Sequence, residues 1–298
     1  MTDLAHLTTE TRNPRSSQLD TMNVMALLEL MNDEDSRVAG AVRKALPQIA
    51  AAVALITTSL RAGGRLIYIG AGTSGRLGVL DAAECPPTFG ISPDRVVGLI
   101  AGGERALRHA VEGAEDGSDL AEKDLEAIDL TRRDTVVGLS ASGRTPYVVG
   151  GLDFARTIGA ATALVTCNPG SHVSPRADIH IELDTGPEVL TGSTRLKAGT
   201  SQKLVLNMLS TAAMVQVGKV FGNLMVDVVP TNHKLELRAQ NIIATATGVD
   251  AATALDYYQR AGRRPKTAIV MVLAGVDAVE ADRRLIAADG FVRDALSQ

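Results

Sequence analysis

Between Ser140 and Thr145 the chain reads Ser-Ala-Ser-Gly-Arg-Thr, directly after the apolar run Val136-Val137-Gly138-Leu139. The run reads as a strand, the hydroxyls and glycine as a loop, and Pro146 as the opening of a helix. These parts suit a phosphate. Ser140, Ser142 and Thr145 carry hydroxyl donors, and Gly143 lets the backbone approach without a Cβ. Pro146 loses nothing in a first helical turn. The open amides of such a turn and the positive end of the helix dipole favour an anion. A second loop of the same kind, Gly70-Ala71-Gly72-Thr73-Ser74-Gly75-Arg76, follows the apolar run Leu66-Ile67-Tyr68-Ile69. Gly72, Thr73 and Ser74 are its candidate contacts. Two such loops on one sheet point to a phosphorylated small molecule.

Two carboxylates accompany them. Glu84 lies in Leu80-Asp81-Ala82-Ala83-Glu84-Cys85-Pro86-Pro87, at the end of the helix that the first loop begins. The negative end of the dipole and small apolar neighbours there predict a raised pKa, which suits a general acid; the alternative is a solvated helix end. Glu115 lies in Val111-Glu112-Gly113-Ala114-Glu115-Asp116-Gly117, where three acids crowd one helix end and a solvated face is the plain reading. The preceding turn, Ala101-Gly102-Gly103-Glu104, puts Glu115 at the sheet edge that carries the loops. Basic residues cluster near the loops. Arg76 and Arg144 lie on them. Arg195, Lys197 and Lys203 surround Gly192 to Thr200, a third Gly-hydroxyl turn opening a long helix. His233, Lys234 and Arg238 follow Asn223 to Val228. Lys203 and Lys234 are the candidate phosphate contacts among these.

Composition sets limits on the function. The chain has 298 residues, 45% hydrophobic and 21% charged, with formal net charge −4. A chain of this length buries roughly three-quarters of its unfolded surface, and its charge argues against general nucleic-acid binding. Cys85 and Cys167 have neither zinc nor disulfide spacing and read as buried thiols. No Walker loop or His-Glu-x-x-His occurs, the five histidines lack metal spacing, and no acid ends a strand to hold a nicotinamide ribose. No cofactor or metal is implied. Met1 to His6 lacks a signal-peptide pattern, and no run reaches membrane-spanning length. A cytoplasmic protein with no membrane partner is the expectation.

The positioning elements follow from periodicity. Residues 1–20 are polar and irregular, as in a mobile arm or one that wraps a partner subunit. From 23 to 62 apolar residues recur at helical spacing. Apolar runs at 66–69, 95–100, 135–139, 162–166 and 178–183 read as strands. Helices over about 75–85, 104–126 and 146–158 lie between them, and another runs from Thr200 to Phe221. This alternation predicts an α/β fold with a parallel sheet flanked by helices, whose ligands bind outside the C-terminal strand ends. Residues 251–298 read as a small helical bundle. The expected division is 1–56 as arm and helices, 57–220 as the α/β domain that binds the phosphorylated ligand, and 221–298 as a helical region.

The Ser140–Thr145 string resembles the phosphate loop of the sugar-isomerase domain family, whose domains carry a five-stranded parallel sheet. The match sharpens elsewhere. The stretch from Ile69 to Gly90 resembles the N-acetylmuramic acid 6-phosphate etherase family nearly residue for residue. So do Ala110 to Gly117, Glu188 to Thr200 and Asn223 to Val228, and the resemblance spans nearly the whole chain. It implies cleavage of the D-lactyl ether of a phosphorylated muramic acid without a cofactor, with Glu84 as proton donor and Glu115 as the second active-site carboxylate. It also implies a homodimer with the active site near the subunit interface. A sugar-phosphate isomerase and a non-catalytic sugar-phosphate sensor are the alternatives. Ser74 and Glu84 would lie ~15 Å apart on one continuous helix. Either that helix breaks, near Gly78, or Glu84 serves a loop on a neighbouring subunit.

Overall fold

The computed structural model describes residues 7–170, 177–230 and 232–298; Met1 to His6, read above for a targeting signal, lie outside the described residues. Five strands form one parallel sheet: β1 (Leu66–Gly70), β2 (Val96–Ile100), β3 (Thr135–Leu139), β4 (Ala161–Thr166) and β5 (Ile179–Glu182), in the order β2-β1-β3-β4-β5. Each strand falls on its apolar run. β1 and β3 are buried along their whole length, which is why they read as unbroken apolar runs rather than alternating ones.

The helices α1 (Val24–Asp35), α2 (Val38–Lys44) and α3 (Leu46–Arg61) precede the sheet. α4 (Gly72–Phe89), α5 (Gly103–Arg108), α6 (Ser118–Ala127) and α7 (Pro146–Ile158) connect its strands, and α8 (Lys197–Gln216) follows it. Two expectations change here. The helix expected over 104–126 is split into α5 and α6 by the turns of 109–117, where Gly113 has a φ of 73°. The helix expected over 75–85 is longer and unbroken at Gly78. A Cβ at Gly78 would lie 3.0 Å from Tyr68 Cβ and from Leu139 Cδ1, so this glycine serves close packing of α4 on the sheet.

The chain divides into two compact units, Met1–Ala83 with Asp94–Ser210, and Glu84–Pro93 with Thr211–Gln298. In the first, Ile67, Ile69 and Val136 pack with Leu125, Tyr147 and Leu152 of α6 and α7. Its N-terminal segment is not a mobile arm over the described residues. It forms 3₁₀ turns at Thr8–Glu10, Pro14–Ser16 and Leu19–Thr21. Thr9 is fully buried and exchanges hydrogen bonds with Asn168. Burying one short polar segment needs such partners, because each unmet donor is costly.

The second unit holds α9 (His233–Thr247), α10 (Ala251–Arg260), α11 (Pro265–Ala274), α12 (Ala278–Ala287) and α13 (Val292–Leu296). Asn232, Asp250 and Asp277 cap α9, α10 and α12 through their side chains. Val226 and Val228 join Ile243, Ile269 and Met271 in its core. Among the described residues no single helix is long and apolar enough to cross a membrane.

Candidate active site

β1 and β3 are paired neighbours with Gly70 opposite Leu139, so the chain leaves both strands side by side, at Ala71 and at Ser140. Here the strand order reverses, and ligands of doubly wound sheets bind outside the C-terminal strand ends at this switch point.

The loop after β3 gathers its hydroxyls. Ser140 Oγ lies 2.8 Å from Thr145 Oγ1 and 3.4 Å from Ser142 Oγ. Gly143 has a φ of 71°, a conformation open to glycine, and its N–H donates to Ser140 O at 3.1 Å. Arg144 N–H donates to Ser142 Oγ at 3.2 Å. The first-turn amides of α7 are less open than expected. Pro146 has no N–H, and Tyr147 N–H donates to Glu115 O at 3.0 Å. The hydroxyls therefore carry much of the donor capacity of this loop, and the Tyr147 bond ties the Glu115 turn to it.

Gly72 and Thr73 open α4, and Ser74, almost buried, donates from Oγ to Gln202 Oε1 of α8 at 2.8 Å. Gly72, Arg76, Glu112 and Glu115 line a cavity of about 260 Å³. The fold thus brings the start of α4 and Glu115 to one cavity, and the loop after β3 to the neighbouring strand end. Lys203 follows Gln202 on α8 with an exposed side chain, while Lys234, also exposed, lies on α9 in the second unit.

Glu84 is exposed rather than enclosed by small apolar neighbours, and α4 continues past it through Pro86 and Pro87 to Phe89. It is therefore not at the helix end. The two prolines lack the N–H groups that would bond the carbonyls of Ala82 and Ala83, and Gly90 N–H closes the last turn on Pro86 O at 2.9 Å.

The Gly192–Thr200 turn is a scaffold, not an anion site. Glu188, fully buried, accepts from Lys197 N–H and Ala198 N–H at 3.0 Å each, so the protein supplies its own anion to the N-terminus of α8. Burial pushes the Glu188 carboxyl up, against the pull of those amides and of Lys197. Lys197 Nζ is spent on buried Glu34, at 2.6 Å. Sequence reasoning missed Glu188, Glu34 and Gln202; the one local signal was Glu188 at the head of its motif. Cys85 and Cys167 are buried and outside any disulfide. Burial pushes the Cys167 thiol up to about 12, which makes it a poor nucleophile.

Comparison with known proteins bears on the fold and on the family. The glucokinase regulatory protein N-terminal SIS domain matches residues 48–156, and the SIS domain matches residues 109–212. The phosphoheptose isomerase of Neisseria gonorrhoeae has the same fold, with a TM-score of 0.51 at 16% identity over 64% of this chain and 98% of that one. The molecule carries an SIS domain. It is 61% identical over 293 residues to N-acetylmuramic acid 6-phosphate etherase of Exiguobacterium sp., covering 98% of this chain and 100% of the relative. The Mycolicibacterium smegmatis etherase is 60% identical over 294 residues, covering 99% of each. The chain belongs to the N-acetylmuramic acid 6-phosphate etherase family.

Proposed function

We propose that this protein cleaves the D-lactyl ether of N-acetylmuramic acid 6-phosphate, giving N-acetylglucosamine 6-phosphate and D-lactate in the recycling of cell-wall sugars. The observation that carries this reading is family membership over nearly the full chain, at 61% identity. The chemistry needs a base, an acid and an anchored phosphate. Ring opening frees the C1 aldehyde, which acidifies the C2 proton and leaves the lactyl oxygen on C3 in the β position. Removal of the C2 proton expels lactate as an acid protonates its oxygen. Water then adds at C3 of the unsaturated aldehyde, and a proton returns to C2. Glu115 is the base and Glu84 the acid. Ser74, Ser140, Ser142 and Thr145 hold the phosphate and orient the sugar. Incubation with N-acetylmuramic acid 6-phosphate tests the reading. Lactate release is expected; ketose formation would indicate an isomerase, and binding alone a sensor.

Ser142→Ala should weaken binding of N-acetylglucosamine 6-phosphate by about 1–3 kcal/mol, the loss of a hydrogen bond to a charged group. Calorimetry should find a non-phosphorylated analogue barely affected. Equal losses for both ligands mean that the loop does not read phosphate.

The working form is a cytoplasmic homodimer with composite sites. Two buried thiols outside disulfides suit a reducing compartment. Val24, Met25 and Leu28 expose one apolar face of α1, at 73%, 65% and 54%, which a second copy would cover. Because α4 is uninterrupted, ten residues of helix separate Ser74 from Glu84 by ~15 Å along its axis. That is long for one sugar phosphate, so Glu84 serves the phosphate loop of the neighbouring subunit. Mixing Glu84→Gln protein with a phosphate-loop variant, each inactive alone, should restore part of the activity through hybrid dimers. An active monomer, or no rescue despite proven subunit exchange, rules the shared site out.

A further inference from the structure

Gln202, in the second turn of α8, is 1% exposed. Its Oε1 accepts from Ser74 Oγ at 2.8 Å, and its Nε2 is buried with no hydrogen-bond partner among the described residues. A buried amide N–H group without an acceptor is rare, because leaving it unmade costs more than leaving a carbonyl oxygen under-used. The arrangement also points the single Ser74 proton at Gln202 and away from any anion. A phosphate oxygen can only accept from a hydroxyl. Ser74 can therefore serve a phosphate only if Gln202 stops accepting from it. Turning the Gln202 amide by a half-rotation exchanges Oε1 and Nε2 within the same volume. Nε2 then donates to Ser74 Oγ, and the Ser74 proton turns outward.

We propose that Gln202 is a positioning residue that sets the donor direction of Ser74, accepting from it in the unliganded protein and donating to it when a phosphomonoester is bound. In the bound state a relay runs from Gln202 Nε2–H to Ser74 Oγ and from Ser74 O–H to phosphate. Each bond polarises the next and strengthens the final donor. The half-rotation also moves the unpartnered position from an N–H group to a carbonyl oxygen. This inference rests on the reading of Ser74 as a phosphate donor.

Calorimetric titration of the full chain with N-acetylglucosamine 6-phosphate tests it, using Ser74→Ala, Gln202→Met, their double variant and Gln202→Glu. Gln202→Met should weaken binding about tenfold in the native background and leave it unchanged in the Ser74→Ala background. Gln202→Glu should weaken it about a hundredfold near neutral pH, because an ionised carboxylate only accepts and holds the Ser74 proton. Its deficit relative to the native protein should shrink on acidification, as the carboxyl becomes a donor. A purely structural role of Gln202 would not produce that pH dependence. Losses from Gln202→Met and Ser74→Ala that simply add, or a Gln202→Glu deficit equal to that of Gln202→Met at every pH, overturn the proposal. If Gln202→Met does not fold, the pH series with Gln202→Glu decides alone. Native-like binding by Ser74→Ala overturns the phosphate reading of Ser74; weak binding by Ser74→Ala beside native-like Gln202→Met overturns the role of Gln202 only.

Discussion

Glu84→Gln is expected to fold, to bind N-acetylmuramic acid 6-phosphate and to release no measurable lactate. Folding should survive because the side chain is exposed and no hydrogen-bonded core group is removed. The chemical step should not survive. The lactyl oxygen leaves as a poorly stabilised alkoxide unless it is protonated as the C3–O bond breaks, and the N–H groups of the glutamine amide are too weakly acidic to supply that proton. Loss of a positioned general acid costs typically 10²–10⁴-fold. Exchange of the C2 proton with solvent deuterium should persist, because Glu115 and the opened aldehyde remain. The two readouts separate the roles: lactate by enzymatic assay, exchange by proton magnetic resonance. Normal lactate release would sink the assignment of Glu84. Loss of both release and exchange with binding intact would place both proton transfers on one group.

Lys197→Met should lower stability by about 3–5 kcal/mol, although Lys197 contacts no substrate in the proposed site. Lys197 is 1% exposed and its Nζ sits 2.6 Å from Glu34 Oε2. Glu34 is itself buried, and also accepts from Arg15 at 2.8 Å and from Asn13 at 3.0 Å. Removing the lysine leaves a carboxylate in the interior with only part of its compensation. The double variant Glu34→Leu with Lys197→Met should recover most of the loss, since an apolar pair needs no desolvated charge.

The pH dependence has a definite sign. Burial alone would raise the Glu34 carboxyl, but the hydrogen bonds from Lys197 and Arg15 outweigh it and hold the pKa below its ordinary value of 4.5. Its contribution is therefore fully present above pH 4.5 and is lost as the pH falls through the lowered value. In Lys197→Met the balance moves toward burial, and protonation relieves a poorly paired charge. Denaturant titrations of the two proteins should thus converge on acidification from about pH 7 to about pH 4. A gap that stays constant, or one below about 1 kcal/mol at neutral pH, refutes a buried, poorly compensated carboxylate as the cause.

Local chemistry made much of this molecule readable before its fold was known. The inner strands β1 and β3 stand on unbroken apolar runs because strands buried on both faces carry no polar alternation, while β2 and β5 at the sheet edges are only partly buried. α7 spans Pro146–Ile158 as expected, since Pro146 suits its first turn and Gly159 its left-handed C-terminal cap. The loops after β1 and β3 were recognisable from glycine and hydroxyl content alone, and parallel strand order then placed them side by side. Glu84 and Glu115 were candidates on local grounds, a helix end and a turn at the sheet edge, but the family motifs carried their roles, because both side chains are exposed and their surroundings do not set them apart from other surface acids.

What escaped the sequence are partnerships across long chain separations. Lys197 and the Gly192–Thr200 turn have the same residue types as an anion site. Whether the anion is a ligand or the protein's own carboxylate depends on Glu188 and on Glu34, which lies 163 residues from Lys197. The break between α5 and α6 has the same origin. Ala106, Val111 and Ala114 keep a pattern compatible with one helix, yet Gly113 turns the chain so that Glu115 O can accept from Tyr147 N–H. The pairing of Ser74 with Gln202 joins residues 128 apart. Periodicity and capping are properties of a few consecutive residues, so short stretches of sequence encode them. Which buried charge or amide meets which partner is decided by three-dimensional packing, where the cost of an unpaired polar group selects among arrangements that local sequence leaves equal.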